Sequence, residues 1–236
     1  MLRSIAGKPL IQWAHEQACR SNASEVIVAT DDDGIRRCCE DFGATVCMTG
    51  SSHRSGSDRV AEVASKLGWG ATDVVVNLQG DEPLVEPALL DALAACLWAD
   101  PGAAIATVST PIWHIDELDN PNVVKVVCDA AGRALYFSRA AIPSQRDGRP
   151  DPDSLGRRYR RHVGLYAYRV EALERLAAAP ASEAELAESL EQLRALHLGM
   201  PMHVMGSESP PAHGVDVETD IPDVERALLA RDAAGT

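Results

Sequence analysis

The first half of the chain alternates short, β-branched apolar runs with segments whose apolar residues recur at helical spacing. Such runs are typical of strands buried in a sheet, and a 3.6-residue spacing predicts helices. The predicted strands are residues 25–30, 44–48, 73–78 and 103–109, and the predicted helices are residues 9–20, 33–42, 55–67 and 87–98. This alternation predicts an α/β fold with a mostly parallel sheet and helices on both faces.

The pattern changes in the second half. Residues 123–129 and 134–138 predict a β-hairpin, and the polar, Pro- and Gly-rich residues 144–158 predict a loop. Further predictions are strands at 162–168 and 202–205 and helices at 171–178, 182–198 and 220–231. We therefore expect a single domain over residues 1–236, with an inserted antiparallel hairpin arm at about 122–169.

The net charge and its distribution along the chain narrow the classes of binding partner. The 236 residues carry a formal net charge of −13, which disfavours nucleic acids and anionic membranes unless basic residues cluster. Residues 133–169 are such a cluster, with nine arginines and three aspartates, and clustered arginine suits carboxylate or phosphate. We expect the arginines in residues 146–158 to be solvated, and Arg139 and Arg161, which flank predicted strands, to be functional.

The location of the protein is predicted from what the sequence does not contain. There is no apolar run of about 18 residues that would span a membrane, and the first residues lack the pattern of a secretory signal. The six cysteines form no CxxC pair, which favours reduced thiols. We therefore expect a cytoplasmic protein.

The strongest local signal follows the predicted strand at residues 73–78, where the sequence reads NLQGDEP. Ligands of open α/β sheets bind outside the carboxyl ends of strands, which is where Asp81 is expected. A carboxylate in that position can hold Mg²⁺ against a polyphosphate, and Gly80 would let the backbone approach a ligand closely. The alternative is a turn residue that caps the next helix.

Three other polar positions have an equally plain structural alternative. Asp216, before the last predicted helix, could meet Asp81 over one metal ion or could cap that helix. Ser55, in the run HRSGSDR, could present a helix start to an anion or could N-cap its helix. Asp31, at the end of the strand at residues 25–30, is expected to cap the following helix.

The predicted helix at residues 182–198 carries an apolar stripe of Leu186, Leu190 and Leu193. Glu191 and Gln192 fall off that stripe, so the spacing alone places them in solvent. The sequence has no Walker loop, no GxSxG elbow and no HExxH motif, which removes those classes of enzyme.

Taken together, the segments resemble the 3-deoxy-manno-octulosonate cytidylyltransferases, or CMP-Kdo synthetases. The matching runs are GKPL, VIVATDD, VCMT, HRSGSDR, VVVNLQGDEP, NPNVVKVV, ALYFSRAAIP, RRHVGLYAYR, SLEQLRAL and GVD. They occur in order over nearly the whole chain, and the series is far more specific than QGDEP alone. The resemblance implies a nucleotide-diphospho-sugar transferase-like fold. It also implies transfer of CMP from CTP to the anomeric hydroxyl of 3-deoxy-D-manno-octulosonate (Kdo), releasing pyrophosphate, for lipopolysaccharide biosynthesis.

The resemblance also implies residue roles at matching positions. Asp81 and Asp216 match ligands of Mg²⁺, the implied cofactor. The positions that match residues around the sugar are Gln79, Arg139, His162, Tyr166, Glu191 and Gln192, with Arg139 expected to pair with the sugar carboxylate. The nucleotide-side positions are Ser55, Gly56 and Ser57, where Ser57 replaces a more usual threonine. The implied partners are CTP, Kdo and a second copy of the chain, bound through the hairpin region, with neither nucleic acid nor membrane.

The sequence departs from the family pattern at its start. The family begins with a strand and a basic loop of the form IPARxxSxRLPGKPL, whereas this chain begins within that loop at Met1. We therefore expect the true start to lie upstream, with Met1 an internal methionine. Two alternatives to a Kdo enzyme stay open: a truncated, non-catalytic sugar-binding homologue and a cytidylyltransferase for another acidic sugar.

Overall fold

The computed structural model describes residues 1–53, 55–208, 214–215 and 217–234, of which residues 232–234 are described by their backbone alone. The helices are α1 Leu10–Cys19, α2 Asp33–Asp41, α3 Gly56–Leu67, α4 Pro87–Ala99, α5 Ile115–Asp119, α6 Leu155–Arg158, α7 Val170–Ala178, α8 Glu183–Glu188, α9 Gln192–His197 and α10 Ile221–Ala234. The strands are β1 Ser4–Ile5, β2 Lys8–Pro9, β3 Ile27–Thr30, β4 Thr45–Met48, β5 Val74–Asn77, β6 Ile105–Pro111, β7 Lys125–Cys128, β8 Ala134–Ser138, β9 Arg160–Arg169 and β10 Met202–Gly206.

The first compact unit comprises residues 1–68, 77–92 and 212–236. Its strands β3 and β4 pair in parallel, and β1 and β2 form a short antiparallel ribbon. Trp13 of α1 is 2% exposed and its indole N–H donates to the Ile5 carbonyl at 2.8 Å. Leu84 and two residues of α10, Val224 and Leu228, complete this apolar cluster. Packing removes their apolar surface from water, which stabilises the unit.

The second unit comprises residues 69–76 and 93–211 and holds a six-stranded mixed sheet. The strand order is β10-β6-β9-β7-β8, and β5 also pairs with β9. β6 is buried along its whole length, runs parallel to β10 and runs antiparallel to β9. The register between β6 and β9 shifts between Thr107 and Val108, so β9 bulges between its two paired stretches.

The α/β prediction is confirmed, with both parallel and antiparallel pairing in the large sheet. The hairpin prediction is also confirmed, since β7 and β8 pair antiparallel across a turn in which Gly132 has φ +77°. The prediction of a single domain stays a prediction. No helix in the described part of the chain is long and apolar enough to cross a membrane.

The prediction that residues 144–158 form a loop is wrong at their carboxyl end. A 3-10 turn at Pro152–Ser154 leads into α6 there. Leu155 is 1% exposed and packs with Ile112, Leu118 and Tyr159. A single buried leucine in a polar stretch gives no periodic signal, which is why the pattern missed this turn of helix.

The predicted helix at residues 182–198 is also wrong as one element. It breaks at Ser189, which has φ +51° in the left-handed region, and so divides into α8 and α9. Leu190 and Leu193 are buried, but Leu186 is 62% exposed. The stripe assumed one continuous helical phase, and a left-handed residue resets that phase.

Candidate active site

The tight turn that directly follows β5 carries Asp81. This turn belongs to the first unit. The Glu82 N–H donates to the Gln79 carbonyl at 3.2 Å, which closes the turn. Asp81 is half-buried, and its carbonyl accepts a hydrogen bond from the Val215 N–H at 2.9 Å. The turn after β5 is therefore joined to the segment that precedes α10. Asp216, predicted as the second metal ligand, lies outside the described residues.

Two glycines allow this close packing. A Cβ at Gly214 would lie 3.0 Å from the Asp81 carbonyl oxygen and 3.0 Å from the Glu82 carboxylate. A Cβ at Gly80 would lie 2.6 Å from Cδ1 of Ile11. We had expected Gly80 to let a ligand approach the backbone. Glycine is instead required at this position because the side chains of Ile11 and Met1 occupy the space that a Cβ would need.

The nucleotide-side positions lie beside the same turn. Ser55 N-caps α3, with its hydroxyl accepting from the Asp58 N–H at 3.2 Å, as the capping alternative predicted. Ser57 is 3% exposed, and its hydroxyl lies 3.1 Å from that of Ser55. A Cβ at Gly56 would lie 3.0 Å from Nε2 of Gln79. The predicted nucleotide segment and the predicted sugar residue Gln79 are thus neighbours.

A carboxylate on α3 fixes the loop that leads into this helix. Glu62 accepts from the Lys66 ammonium at 2.6 Å, from the His53 ring and from the Gly50 N–H at 2.9 Å. These hydrogen bonds lower the pKa of Glu62 to about 2, with Lys66 the largest cause. The carboxylate therefore stays ionised at neutral pH and holds the loop by charge as well as by geometry.

We had expected Asp31 to cap the following helix, but it does not. The cap of α2 is Asp32, whose carboxylate accepts from the Ile35 N–H at 2.8 Å. Asp31 instead lies 3.0 Å from the guanidinium of Arg59 on α3. The two residues are adjacent, and the pattern could not tell which of them would point at the helix.

The second unit holds a cavity of about 130 Å³ between β9, α9 and neighbouring elements. Three of the predicted sugar residues line it: Tyr166, Glu191 and Gln192. The remaining lining residues are Ile105, Tyr168, Leu176, Ala195 and Met202. Gln192 is 8% exposed, so the placement of this residue in solvent from the helical spacing is wrong. A mostly apolar lining with a few polar groups is typical of small-molecule sites.

His162 packs against a residue that lines this cavity. Its ring lies 5.4 Å from the Tyr166 ring and edge-on to Phe137 at 4.9 Å. Its Nε2 lies 2.9 Å from the Thr107 hydroxyl. Burial lowers the pKa of His162 to about 3, so the ring is neutral at physiological pH. His162 is therefore a neutral packing and hydrogen-bonding group and carries no charge toward a ligand.

Tyr168 is a cavity residue that the sequence reasoning missed. Its ring stacks on Tyr166 with centroids 5.7 Å apart. Burial is the main cause that raises the pKa of both phenols, and Glu191 raises it further. Both phenols are therefore protonated and can donate a hydrogen bond. The signal was present, because residues two apart on a strand share a face.

Arg139 lies just beyond β8, and its guanidinium contacts the residues that precede Glu191 and Gln192, the polar corner of the cavity. Its guanidinium donates to three backbone carbonyls, those of Glu188 at 2.7 Å, Pro121 at 2.9 Å and Ser189 at 3.4 Å. These donations use three of its five N–H groups. The other two make no hydrogen bond to the described residues.

Most other arginines of the basic window are engaged within the second unit. Arg161, expected to be functional, lies 3.6 Å from the Glu117 carboxylate. Arg149 pairs with Asp119 at 2.6 Å, and Arg160 donates to the Ser109 hydroxyl at 3.1 Å. The window is therefore not a uniform basic patch, since several of its arginines hold strands and loops together. No group of three or more His, Cys, Asp or Glu among the described residues could hold a metal ion.

The fold is that of the nucleotide-diphospho-sugar transferases. A solved structure of CMP:2-keto-3-deoxy-manno-octonic acid synthetase complexed with CTP superposes with a TM-score of 0.87 at 38% identity, covering 98% of this chain and 91% of that chain. A 4-diphosphocytidyl-2C-methyl-D-erythritol synthase from Anaerococcus prevotii shares the fold at a TM-score of 0.60 and 15% identity, covering 97% of this chain and 91% of that one.

Sequence comparison narrows the class further. A family profile described as cytidylyltransferase matches residues 1–202. The 3-deoxy-manno-octulosonate cytidylyltransferase of Thioalkalivibrio sulfidiphilus is 50% identical over 97% of this chain and 92% of its own length. The protein of the same name from Cellvibrio japonicus is 48% identical over 97% and 91%. The chain belongs to the 3-deoxy-manno-octulosonate cytidylyltransferase family.

The buried His162 predicts a pH dependence of stability. The unfolded chain protonates this ring near pH 6.5, whereas the folded chain does so near pH 3. Because the unfolded state binds the extra proton in this interval, the free energy of unfolding falls as pH falls, with a slope of about 1.4 kcal/mol per pH unit from this group. His162→Gln removes the titration and keeps an amide to bond Thr107.

Urea unfolding measured between about pH 7 and about pH 4 checks this slope in the wild type and the variant. The exposed His197 provides a matched control as His197→Gln. We expect the His162 variant alone to flatten the pH dependence, and an unchanged slope would contradict the burial argument.

Proposed function

We propose that this protein transfers CMP from CTP to the anomeric hydroxyl of Kdo and releases pyrophosphate. The observation that carries the proposal is the cavity lined by Tyr166, Glu191 and Gln192, three positions that match the sugar side of the family. Identity near 50% with relatives named 3-deoxy-manno-octulosonate cytidylyltransferase, over 97% of the chain, supports the same assignment.

The reaction we propose is an in-line displacement at the α-phosphorus. The anomeric oxygen forms a bond to that phosphorus, the bond to the bridging oxygen of the leaving pyrophosphate breaks, and the hydroxyl proton is released. Such a reaction needs little covalent help from the protein, so positioning and charge neutralisation dominate. In the cavity, the protonated phenols of Tyr166 and Tyr168 would donate to sugar oxygens, and Glu191 would accept from sugar hydroxyls.

Arg139 has the donors that a sugar carboxylate needs. Two of its N–H groups are not used by the described residues, and a guanidinium fork can bind a carboxylate with two parallel hydrogen bonds. Its three donations to backbone carbonyls would hold the fork still while it binds. On the nucleotide side, the start of α3 with Ser55 and Ser57 and the side chain of Gln79 form the proposed contact region.

The donor set of the turn after β5 fits Mg²⁺. This ion takes one or two protein carboxylates together with phosphate oxygens and water, so a cluster of three acidic side chains is not required. We propose Asp81 as one ligand and Asp216 as the other, because Val215 is bonded to the Asp81 carbonyl. When bound, Mg²⁺ would neutralise triphosphate charge.

We also propose that the protein acts in the cytoplasm as a homodimer. β8 lies at one end of the strand order of the large sheet, and it exposes Leu135 and Tyr136 at 59% and 40%. An exposed apolar strand at a sheet edge is typical of an interaction surface.

Leu135→Lys is expected to weaken the dimer, because a buried unpaired ammonium is costly at an apolar interface. We expect the dissociation constant to rise by about 10-fold or more. Light scattering over a dilution series measures this, with Leu67→Lys, at a 45% exposed position on α3, as the control. A wild-type protein that elutes as a single chain would refute the dimer.

The substrate assignment is tested by pyrophosphate release with a panel of acidic sugars. We expect kcat/KM with CTP and Kdo to exceed that with a sialic acid or an amino variant of Kdo by about 10-fold or more, since a polar pocket rejects ligands that leave its groups unpaired. UTP in place of CTP controls for the base. Higher turnover with another sugar would move the enzyme to that substrate, and calorimetric Kdo binding without turnover would favour a non-catalytic sugar-binding protein.

Asp81→Asn tests the metal proposal. We expect kcat to fall by about 100-fold or more at saturating Mg²⁺, because a metal ligand supplies several kcal/mol of charge stabilisation and each ~1.4 kcal/mol is tenfold. Asp223→Asn, in an exposed pair with Arg226, is the matched control. Far-UV circular dichroism should be unchanged in both variants. Near-normal turnover in the first would remove Asp81 from the site.

A further inference from the structure

The polar corner of the cavity is carried by a break between two short helices. α8 ends at Glu188, Ser189 adopts φ +51°, and α9 begins at Gln192. Glu191 and Gln192 line the cavity directly after this break. A left-handed serine is strained relative to glycine, so such a turn persists where surrounding contacts fix it.

The Glu188 carboxylate supplies those contacts. One of its oxygens accepts from the Ser138 hydroxyl at 2.7 Å, and the other accepts from the Arg139 N–H at 2.8 Å. Both donors stand where β8 ends, about fifty residues earlier in the chain. A half-buried carboxylate that uses both oxygens on two fixed donors is held in one orientation.

The same two segments are also joined in the opposite direction. The Arg139 guanidinium donates to the carbonyls of Glu188 and Ser189. The Arg139 carbonyl in turn accepts from Lys125, which is fully buried on β7. The end of β8 is therefore fixed to the sheet before it reaches the break between the helices.

An ion pair between the two helices makes a different connection from that of Glu188. Arg194 of α9 forms two hydrogen bonds to the Glu185 carboxylate of α8, at 2.7 and 2.9 Å. That pair ties the two helices to each other. The contacts of Glu188 and Arg139 join the break to the end of β8, in the sheet that carries Tyr166.

We propose that Glu188 is a positioning residue for the sugar site: by anchoring the break between α8 and α9 to the end of β8, it holds Glu191 and Gln192 at the cavity. The inference rests on the proposed function for the identity of the ligand, but the anchoring itself does not. Glu188 touches no substrate in this scheme and acts through its two neighbours.

Hydrogen exchange of the full-length protein tests the anchoring without any substrate. Glu188→Ala removes both acceptors. We expect exchange at the amides of residues 190–194 to become faster by about 10-fold or more, because the free energy of local opening falls there. Glu188→Gln should restore protection, since its amide oxygen can accept from Arg139 and its amide nitrogen can donate to Ser138. Glu183→Ala, on the exposed side of the same helix, is the matched control.

Steady-state kinetics test the link to the sugar. We expect Glu188→Ala to raise KM for Kdo by about 10-fold or more, with KM for CTP nearly unchanged. The reason is that a small displacement of Glu191 and Gln192 weakens their hydrogen bonds to the sugar. Glu188→Gln should recover most of this loss. A residue that merely stabilises the fold would lower the urea midpoint and leave the ratio of the two KM values unchanged.

The outcomes separate the two proposals. Unchanged exchange in Glu188→Ala overturns the anchoring whatever the substrate proves to be. Faster exchange with equal effects on both KM values overturns the link to the sugar, and so does a Gln variant as impaired as the Ala variant. If the wild type turns over a different acidic sugar, the same comparison is made with that sugar, and the proposed function fails while the anchoring stands.

Discussion

The second unit depends on strand β9 having partners along both of its edges. β9 pairs with β6 along two stretches, with β7 at its start and with β5. Residues 160–163 and 166–168 of β9 are in register with β6, which is buried along its whole length, and this pairing supplies partners for backbone N–H and C=O groups that burial removes from water. The register of β9 against β6 shifts opposite Thr107 and Val108, and this bulge lies between His162 and Tyr166. The placement of both rings is therefore a consequence of backbone pairing.

Around these rings, the cavity gains its polarity without adding charge on the sheet. Burial keeps His162 neutral and the phenols of Tyr166 and Tyr168 protonated, which avoids the large cost of a buried isolated ion. Charge enters instead at the start of α9, where the Glu191 carboxylate lies 3.9 Å from the guanidinium of Arg194. The neutral groups lie on strands of the sheet, whereas Glu191 lies at the start of a short helix that follows a left-handed turn. This division explains why anchoring that turn matters.

Local pattern was enough for the elements that it specifies by itself. Helix α1 was predicted to within about a residue at each end, because a proline starts it and apolar residues recur at helical spacing. Helix α6 and the break at Ser189 could not be predicted, because one rests on a single buried leucine and the other on hydrogen bonds to residues about fifty positions away. The site shows the same division. The spacing placed Gln192 in solvent and the family resemblance placed it at the sugar, while Glu188 has no local signal at all.

The arginines show how an acidic chain can still favour an anionic ligand. Where an arginine meets a carboxylate, as Arg149 meets Asp119, the two charges cancel at a distance. Arg160 donates instead to the hydroxyl and carbonyl of Ser109, and Arg169 to the carbonyls of Ala103 and Leu97. Because those acceptors are neutral, the guanidinium charge is fixed in place but not cancelled, and a guanidinium cannot lose its proton to relieve this. Structural arginines of this kind can attract an anion within a Debye length of about 8 Å, even though the whole chain carries a formal net charge of −13.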